Sequence, residues 1–298
     1  MADLKEIAEF LGVSCLQDRS ITNALSIDDA DFNANSIGWC SDKNVSKLSG
    51  LNEGVILLSP AAKSMLEADV RDLVYLVVDS PRRSFAKLLS EFFVEKEAFG
   101  SIASTAVIHD NVNFNPEEVI IGENVVIEKG CVLKKGAVIG HNSVLKSGTH
   151  VGERSRIGSN CTIGGVGFGY EPGEDGNYEV IPHIGTVFLD DDVEVGNNVC
   201  IDRAVMGKTY LGKNVKVDNL VHIAHGVEVG DNSLIIAHAM IAGSVKIGKN
   251  VWVAPNAAIR QKLSIDDNAT VGMGSVVVKD VEHSTTVAGV PARSIQKK

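Results

Sequence analysis

Aromatic side chains are scarce, 5% of 298 residues, and proline is rarer still, with 7 against 29 glycines. That balance suits a turn-rich β architecture packed with valine and isoleucine. Basic residues are in deficit: 28 Lys and Arg face 38 Asp and Glu, a formal charge of −10. No basic stripe is left to meet a run of phosphates, which excludes a general nucleic-acid binder while leaving room for one nucleotide in a local pocket. Long apolar runs are missing too, and nothing approaches the roughly 18 residues of a membrane span. The opening MADLKEIAEFLGV lacks a basic segment followed by an apolar one, so it predicts no signal peptide and a cytoplasmic protein. Five cysteines, odd in number, scattered and without a CxxC, suggest neither a disulfide framework nor a zinc site.

What is present divides into two grammars. Residues 1–100 read as a small α/β domain. LKEIAEFLG has helical spacing and ends at Gly12, GVILLSP and LVYLVVDSP are short buried strands stopped by proline, and RRSFAKLLSEFF is a helix with Phe85, Leu88, Leu89 and Phe92 on one face. Residues 101–285 read as a second domain, and 286–298 as a short tail. From Ile121 an aliphatic recurs every sixth residue through Ile127, Leu133, Ile139, Leu145, Val151, Ile157 and Ile163. The lattice returns at Leu211 and holds to Val277, with small or β-branched residues such as Cys131, Ala137, Ser143 and Cys161 at position five.

This is the hexapeptide signature of a left-handed parallel β-helix, a mainly β fold. Each hexad supplies a short strand and a turn, three hexads close a triangular coil, and coils stack at roughly 4.8 Å. Packing at the small inward position accounts for Cys131 and Cys161. Two breaks interrupt the lattice: GGVGFGYEPGEDGNYEVIPHIG, a loop inserted at 164–186, and a phase shift near Val205 to Tyr210. Long excursions from a rigid scaffold usually carry function, although a bare turn extension is the plain alternative.

Three histidines punctuate the later hexads. His222 takes position six of its unit, His225 position three and His238 position four, and none of these is a core position. One coil beyond His225 stands Gly243, whose peptide N–H is open to a ligand. The pair offers a base and an oxyanion donor about one strand spacing apart; a solvated turn histidine explains His225 equally well at this level. A zinc hydratase on this fold uses an HxxxxH pair, and no two of the eight histidines have that separation.

The motifs GGVGFGY, IPHIG, IDRAV, DN followed by IAHGVEVGDN, and MIAGS stand in order between about 160 and 250. Together they resemble LpxD, the UDP-3-O-acylglucosamine N-acyltransferase family of lipid A biosynthesis. A weaker likeness to that family's uridine-binding module extends over SIGWCSDKN, VILLSP and VVDSPRRSFAKLLSEFF. The resemblance implies that His225 is the catalytic histidine, that Gly243 gives the oxyanion N–H, and that Phe168, Gly169 and Tyr170 shape the acceptor pocket. It also implies a homotrimer and a thioester donor, acyl carrier protein or coenzyme A, with no permanently bound cofactor and no metal.

Three departures mark this chain. The family's Phe, Asn and Tyr around uracil are Trp39, Asp42 and Val45; a family histidine one coil beyond Gly243 becomes Lys262; and a C-terminal helical extension gives way to GVPARSI, similar to coenzyme A-dependent acetyltransferases of nucleotide sugars. Trp39, Asp42, His222 and Lys262 join the substrate-binding candidates. The expected activity is N-acyl transfer to a nucleotide-linked amino sugar. The alternatives are a short-chain, coenzyme A-dependent transferase for a dideoxyamino sugar of O-antigen or capsule, and a non-catalytic solenoid used for binding.

Overall fold

The computed structural model describes residues 2–66, 72–96 and 98–295. The chain divides into two units, Met1–Glu97 and Ala98–Lys298. Among the described residues, no helix is long and apolar enough to cross a membrane.

In the first unit the Asp3 side chain accepts the Lys5 N–H at 2.7 Å and opens a helix over Leu4–Phe10, which ends with Gly12 in the left-handed region. Four parallel strands, Asn23–Ala24, Ser36–Trp39, Glu53–Leu58 and Asp72–Val77, lie side by side in chain order. The prolines that stop the last two strands also start helices. Pro60 and Pro81 occupy first-turn positions, where the missing N–H costs nothing, in helices over Pro60–Ser64 and Pro81–Leu88. From the second of these helices Leu88 is fully buried and Phe85 packs beside it on a core that includes Ile37, Val55, Leu57 and Leu76. Phe92, from the wide turn Leu89–Phe93 that follows, joins them.

The second unit is a parallel β-helix. Two-residue strands stack into three parallel sheets of nine, seven and eleven strands, the last ending in one antiparallel pair. Partners in the regular part stand 18 residues apart, as Ile127 with Leu145 and Ile223 with Ile241. Position one and position five point inward and are buried together, so the core is one continuous column from Val119 to Val287. Serines at position five stay dry because their hydroxyls are used: Ser143 Oγ donates to Gly158 O at 2.8 Å and accepts the Cys161 N–H at 2.9 Å. Position four turns the corner in the left-handed region, which favours Asn and Gly; Asn142, Asn160, Asn214 and Asn232 all sit there with φ near +59°. His238 and Lys262 occupy the same turn position, each with φ +61° and an exposed side chain.

One coil escapes the sequence reading, which stops the lattice at Ile163 and resumes it at Leu211. Leu189, Val195 and Ile201 form a complete buried coil between the two breaks. Val151 pairs with Leu189, and Leu189 with Leu211, so both excursions leave and rejoin without disturbing the stack. The coil is out of phase with both flanks, which hides it from a search for a fixed period.

Both excursions open from the same corner, between the nine-stranded and the seven-stranded sheets. The first leaves after strand Thr162–Val166 and returns at Thr186–Leu189; the second separates Cys200–Arg203 from Lys208–Leu211. In the next two coils that corner is occupied by His225 and Gly243, after strands His222–Ile223 and Met240–Ile241.

Candidate active site

The ladder itself holds His225 in place. Its carbonyl accepts the Ser244 N–H at 2.9 Å, and the next residue, Gly226, turns at φ +68° and donates its N–H to Thr209 Oγ1 at 2.9 Å. Thr209 is fully buried and its hydroxyl donates a hydrogen bond to the Asp202 carbonyl oxygen at 2.7 Å. Thr209→Val keeps the shape and strands two backbone groups. We expect it to lower stability by about 1–3 kcal/mol, read as a shift in denaturation midpoint; an unchanged midpoint refutes this anchoring role.

Gly243 lies directly beside the imidazole. A Cβ on this residue would stand 2.8 Å from both His225 Nε2 and Cε1, so only hydrogen lets the ring sit there. Position-three N–H groups lie outside the sheet ladder, and side chains cap them elsewhere: Glu128 Oε2 takes Ser147 N–H at 3.0 Å and Asp267 Oδ1 takes Lys249 N–H at 2.7 Å. The Gly243 N–H has no hydrogen-bond partner among the described residues. Its carbonyl accepts the Lys262 N–H at 3.0 Å, which extends the stack by one coil.

Burial pushes the His225 proton affinity below the ordinary histidine value; neighbouring His183 pushes it the same way, and the Asp202 carboxylate opposes both. Asp202 is itself raised by burial, against the pull of His222, His225 and His183. His222 Nε2 is 3.7 Å from Asp202 Oδ2. The result is an imidazole kept neutral near pH 7, the form that accepts a proton.

The long excursion is tied down at its root, where Arg203 Nε donates to Gly164 O at 2.7 Å and Nη2 to Ser147 O at 3.2 Å. Its arms, Tyr170–Pro172 and Tyr178–Val180, pair as an antiparallel ribbon. Phe168, Gly169, Tyr170, Tyr178, Ile181 and Val205 enclose with His225 a largely apolar cavity of about 590 Å³. Phe168 is 88% exposed and meets Tyr170 edge to face, ring centres 5.0 Å apart.

His225, Gly243, Phe168, Gly169 and Tyr170 therefore converge on one corner, and His222, on the outer face of the nine-stranded sheet, approaches it through Asp202. Lys262 reaches it through its backbone. Trp39 and Asp42 belong to the first unit: the half-buried Trp39 packs on that unit's core, and Asp42 Oδ1 accepts the Ser59 hydroxyl at 2.6 Å. His183, Asp202 and Thr209 have no role assigned from sequence, although His183 lies in IPHIG and Asp202 in IDRAV. The signal available was their place beside the two phase breaks. Among the described residues, no group of three His, Cys, Asp or Glu side chains is set to hold a metal ion.

Known proteins resemble this chain along most of its length. The family model Bacterial transferase hexapeptide (six repeats) matches residues 118–152, 130–165 and 208–243. The UDP-3-O-acylglucosamine N-acyltransferase of Campylobacter lari is 37% identical over 301 residues, covering 97% of this chain and 92% of that protein. Its namesake from Coxiella burnetii is 34% identical over 261 residues, covering 81% of this chain and 74% of that protein. LpxA of Acinetobacter baumannii, at 24% identity and a TM-score of 0.57 over 65% of this chain and 73% of its own, shares the fold. The chain belongs to the UDP-3-O-acylglucosamine N-acyltransferase family and is an acyltransferase built on a left-handed parallel β-helix.

Proposed function

We propose that this protein moves an acyl group from a thioester to the amine of a UDP-linked 3-O-acylated glucosamine, the substrate named for its relatives. The observation that carries the reading is the pairing of His225 Nε2 with the bare Gly243 peptide at the wall of the aromatic cavity. Neutral His225 takes a proton from the amine as its nitrogen bonds to the thioester carbonyl carbon. The carbonyl oxygen becomes an oxyanion held by the Gly243 N–H. Collapse breaks the carbon–sulfur bond, and the thiolate leaves with the proton held by His225. The amine is nucleophilic enough to need no covalent acyl-enzyme.

Phe168 and Tyr170 border the acceptor, and Trp39, with Asp42 near it, offers a face for the base. The donor is acyl carrier protein or coenzyme A; the motif GVPARSI at 289–295 favours coenzyme A and the family likeness favours the carrier protein. The protein works in the cytoplasm as a homotrimer. Supporting the trimer, the outward positions of the nine-stranded sheet run Val126, Val144, Thr162, Cys200, His222 and Met240 without an acid or a lysine, whereas the seven-stranded sheet shows Glu228 and Lys246. Light scattering should give three times the chain mass, and a monomer at micromolar concentration would remove the proposal.

The deciding experiment incubates the purified chain with a panel of nucleotide amino sugars and with acyl-carrier-protein and coenzyme A thioesters, followed by mass spectrometry. The expected product gains one acyl group on the amine of the UDP-linked, 3-O-acylated sugar. Acetyl transfer from coenzyme A to a dideoxyamino sugar would establish the short-chain alternative, and no product with any pair would overturn both.

A further inference from the structure

His183 sits in the insertion yet is buried, with 7% of its surface exposed. Its Nδ1 lies 2.7 Å from the Ile181 carbonyl oxygen, so Nδ1–H donates and Nε2 points away from that bond. Among the described residues, His183 Nε2 is the buried side-chain polar atom that has no hydrogen-bond partner.

That nitrogen faces the backbone of the insertion. A Cβ on Gly167 would stand 2.8 Å from it and 3.0 Å from His225 Cβ and Cδ2, and a Cβ on Gly169 would stand 2.9 Å from His183 Cε1. The same ring meets His225 edge to face, centroids 5.1 Å apart and planes at 81°. The loop closes round it through Gly169 N–H to Gly167 O at 3.1 Å and Ile181 N–H to Gly169 O at 2.9 Å. A buried aliphatic would fill the same space; the imidazole adds a tether to Ile181 that fixes its tilt. The glycines of GVGFGY acquire a reason, since the backbone lies where a side chain would strike the ring.

Resting on the reading of His225 as the base, we propose that His183 is a positioning residue. Its ring sets the spacing between the Gly167–Gly169 backbone and the His225 imidazole and so registers the acceptor loop against the base. The ring also shields His225 from water. His183 and Asp202 are the charged or titratable neighbours that act on His225, and Tyr170 and Tyr178 share the cavity it lines; removal of His183 hydrates the His225 ring. The acid limb of kcat/KM, where His225 gains its proton, then moves to higher pH.

The test is a double-mutant cycle between Gly169→Ala and His183→Ala, chosen because the one close contact of a Gly169 Cβ is with His183. Each single change should lower kcat by roughly tenfold, as misplaced reacting groups do. The double variant should lose no more than H183A alone, and the acid limb should rise in H183A. Additive losses, or an unmoved limb in H183A, would overturn the proposal. If H183A does not fold, His183→Asn replaces it, since Asn keeps a donor for the Ile181 carbonyl while removing Cε1 and Nε2. Amide exchange at Ile181 and Gly169, faster in H183A and no faster in the double variant, reads the same cycle without any turnover; unchanged exchange refutes it. His225→Ala decides the base reading separately, because the cycle is read on the unaltered His225.

Discussion

Replacing His225 by alanine should lower kcat by about 10²–10⁴-fold and leave KM nearly unchanged, the signature of a group that acts in the transition state rather than in binding. The change touches little else. His225 is held by its own backbone, through Ser244 N–H and the Gly226–Thr209 bond, and alanine keeps both. Its denaturation midpoint should therefore stay close to that of the unaltered protein, which separates lost chemistry from lost fold. The pH profile supplies a second reading. The base works deprotonated, so kcat/KM is flat above the His225 pKa and falls tenfold per pH unit below it. Burial and His183 lower that pKa, so the limb should lie below about 6.5, the ordinary value. Asp202 pulls the other way, and Asp202→Asn should move the limb further down. A limb above the ordinary value, or a loss under tenfold in H225A, would falsify the assignment of His225 as base.

The scaffold was legible because a solenoid repeats one local solution. Each hexad fixes a strand at position one, a small inward residue at position five and a left-handed turn at position four, so phase alone places Val217, Ile223 and Val229 on three different sheets. The same arithmetic sets His225 and Gly243 one coil apart on one edge, as the structure does. Where phase fails, so does the reading. Leu189, Val195 and Ile201 keep the six-residue step but are offset from both neighbours, and the coil they form vanishes between two excursions. His183 and Asp202 are harder still. The contact of His183 with His225 is made by chain that leaves the stack and folds back, and no period relates 183 to 225, while Asp202 belongs to a strand of the offset coil, so its register against His225 is lost with that coil. The position-four lattice also gives His238 and Lys262 a conformational setting independent of any chemistry, a left-handed turn that Asn or Gly fills in most hexads.

Gly243→Ala should be nearly as damaging as the loss of His225, by about 10²–10³-fold in kcat, for a reason the backbone makes specific. Gly243 lies outside the left-handed region, so alanine strains no dihedral there, in contrast to Gly226 at φ +68°. The peptide N–H survives as well. What changes is one methyl group, set 2.8 Å from His225 Nε2 and Cε1 and 3.4 Å from Cδ2. No real Cβ tolerates the first two distances, so the imidazole has to swing away, and the base and the oxyanion donor can no longer serve one reacting carbon. A fall in kcat with little change in denaturation midpoint is the expected pair of results. Because the two residues act as a unit, the double variant of His225→Ala and Gly243→Ala should be no slower than the slower single one. Losses that multiply would mean that the glycine acts independently of the histidine, and turnover in G243A within a few-fold of the unaltered protein would mean that the ring has no need of that place.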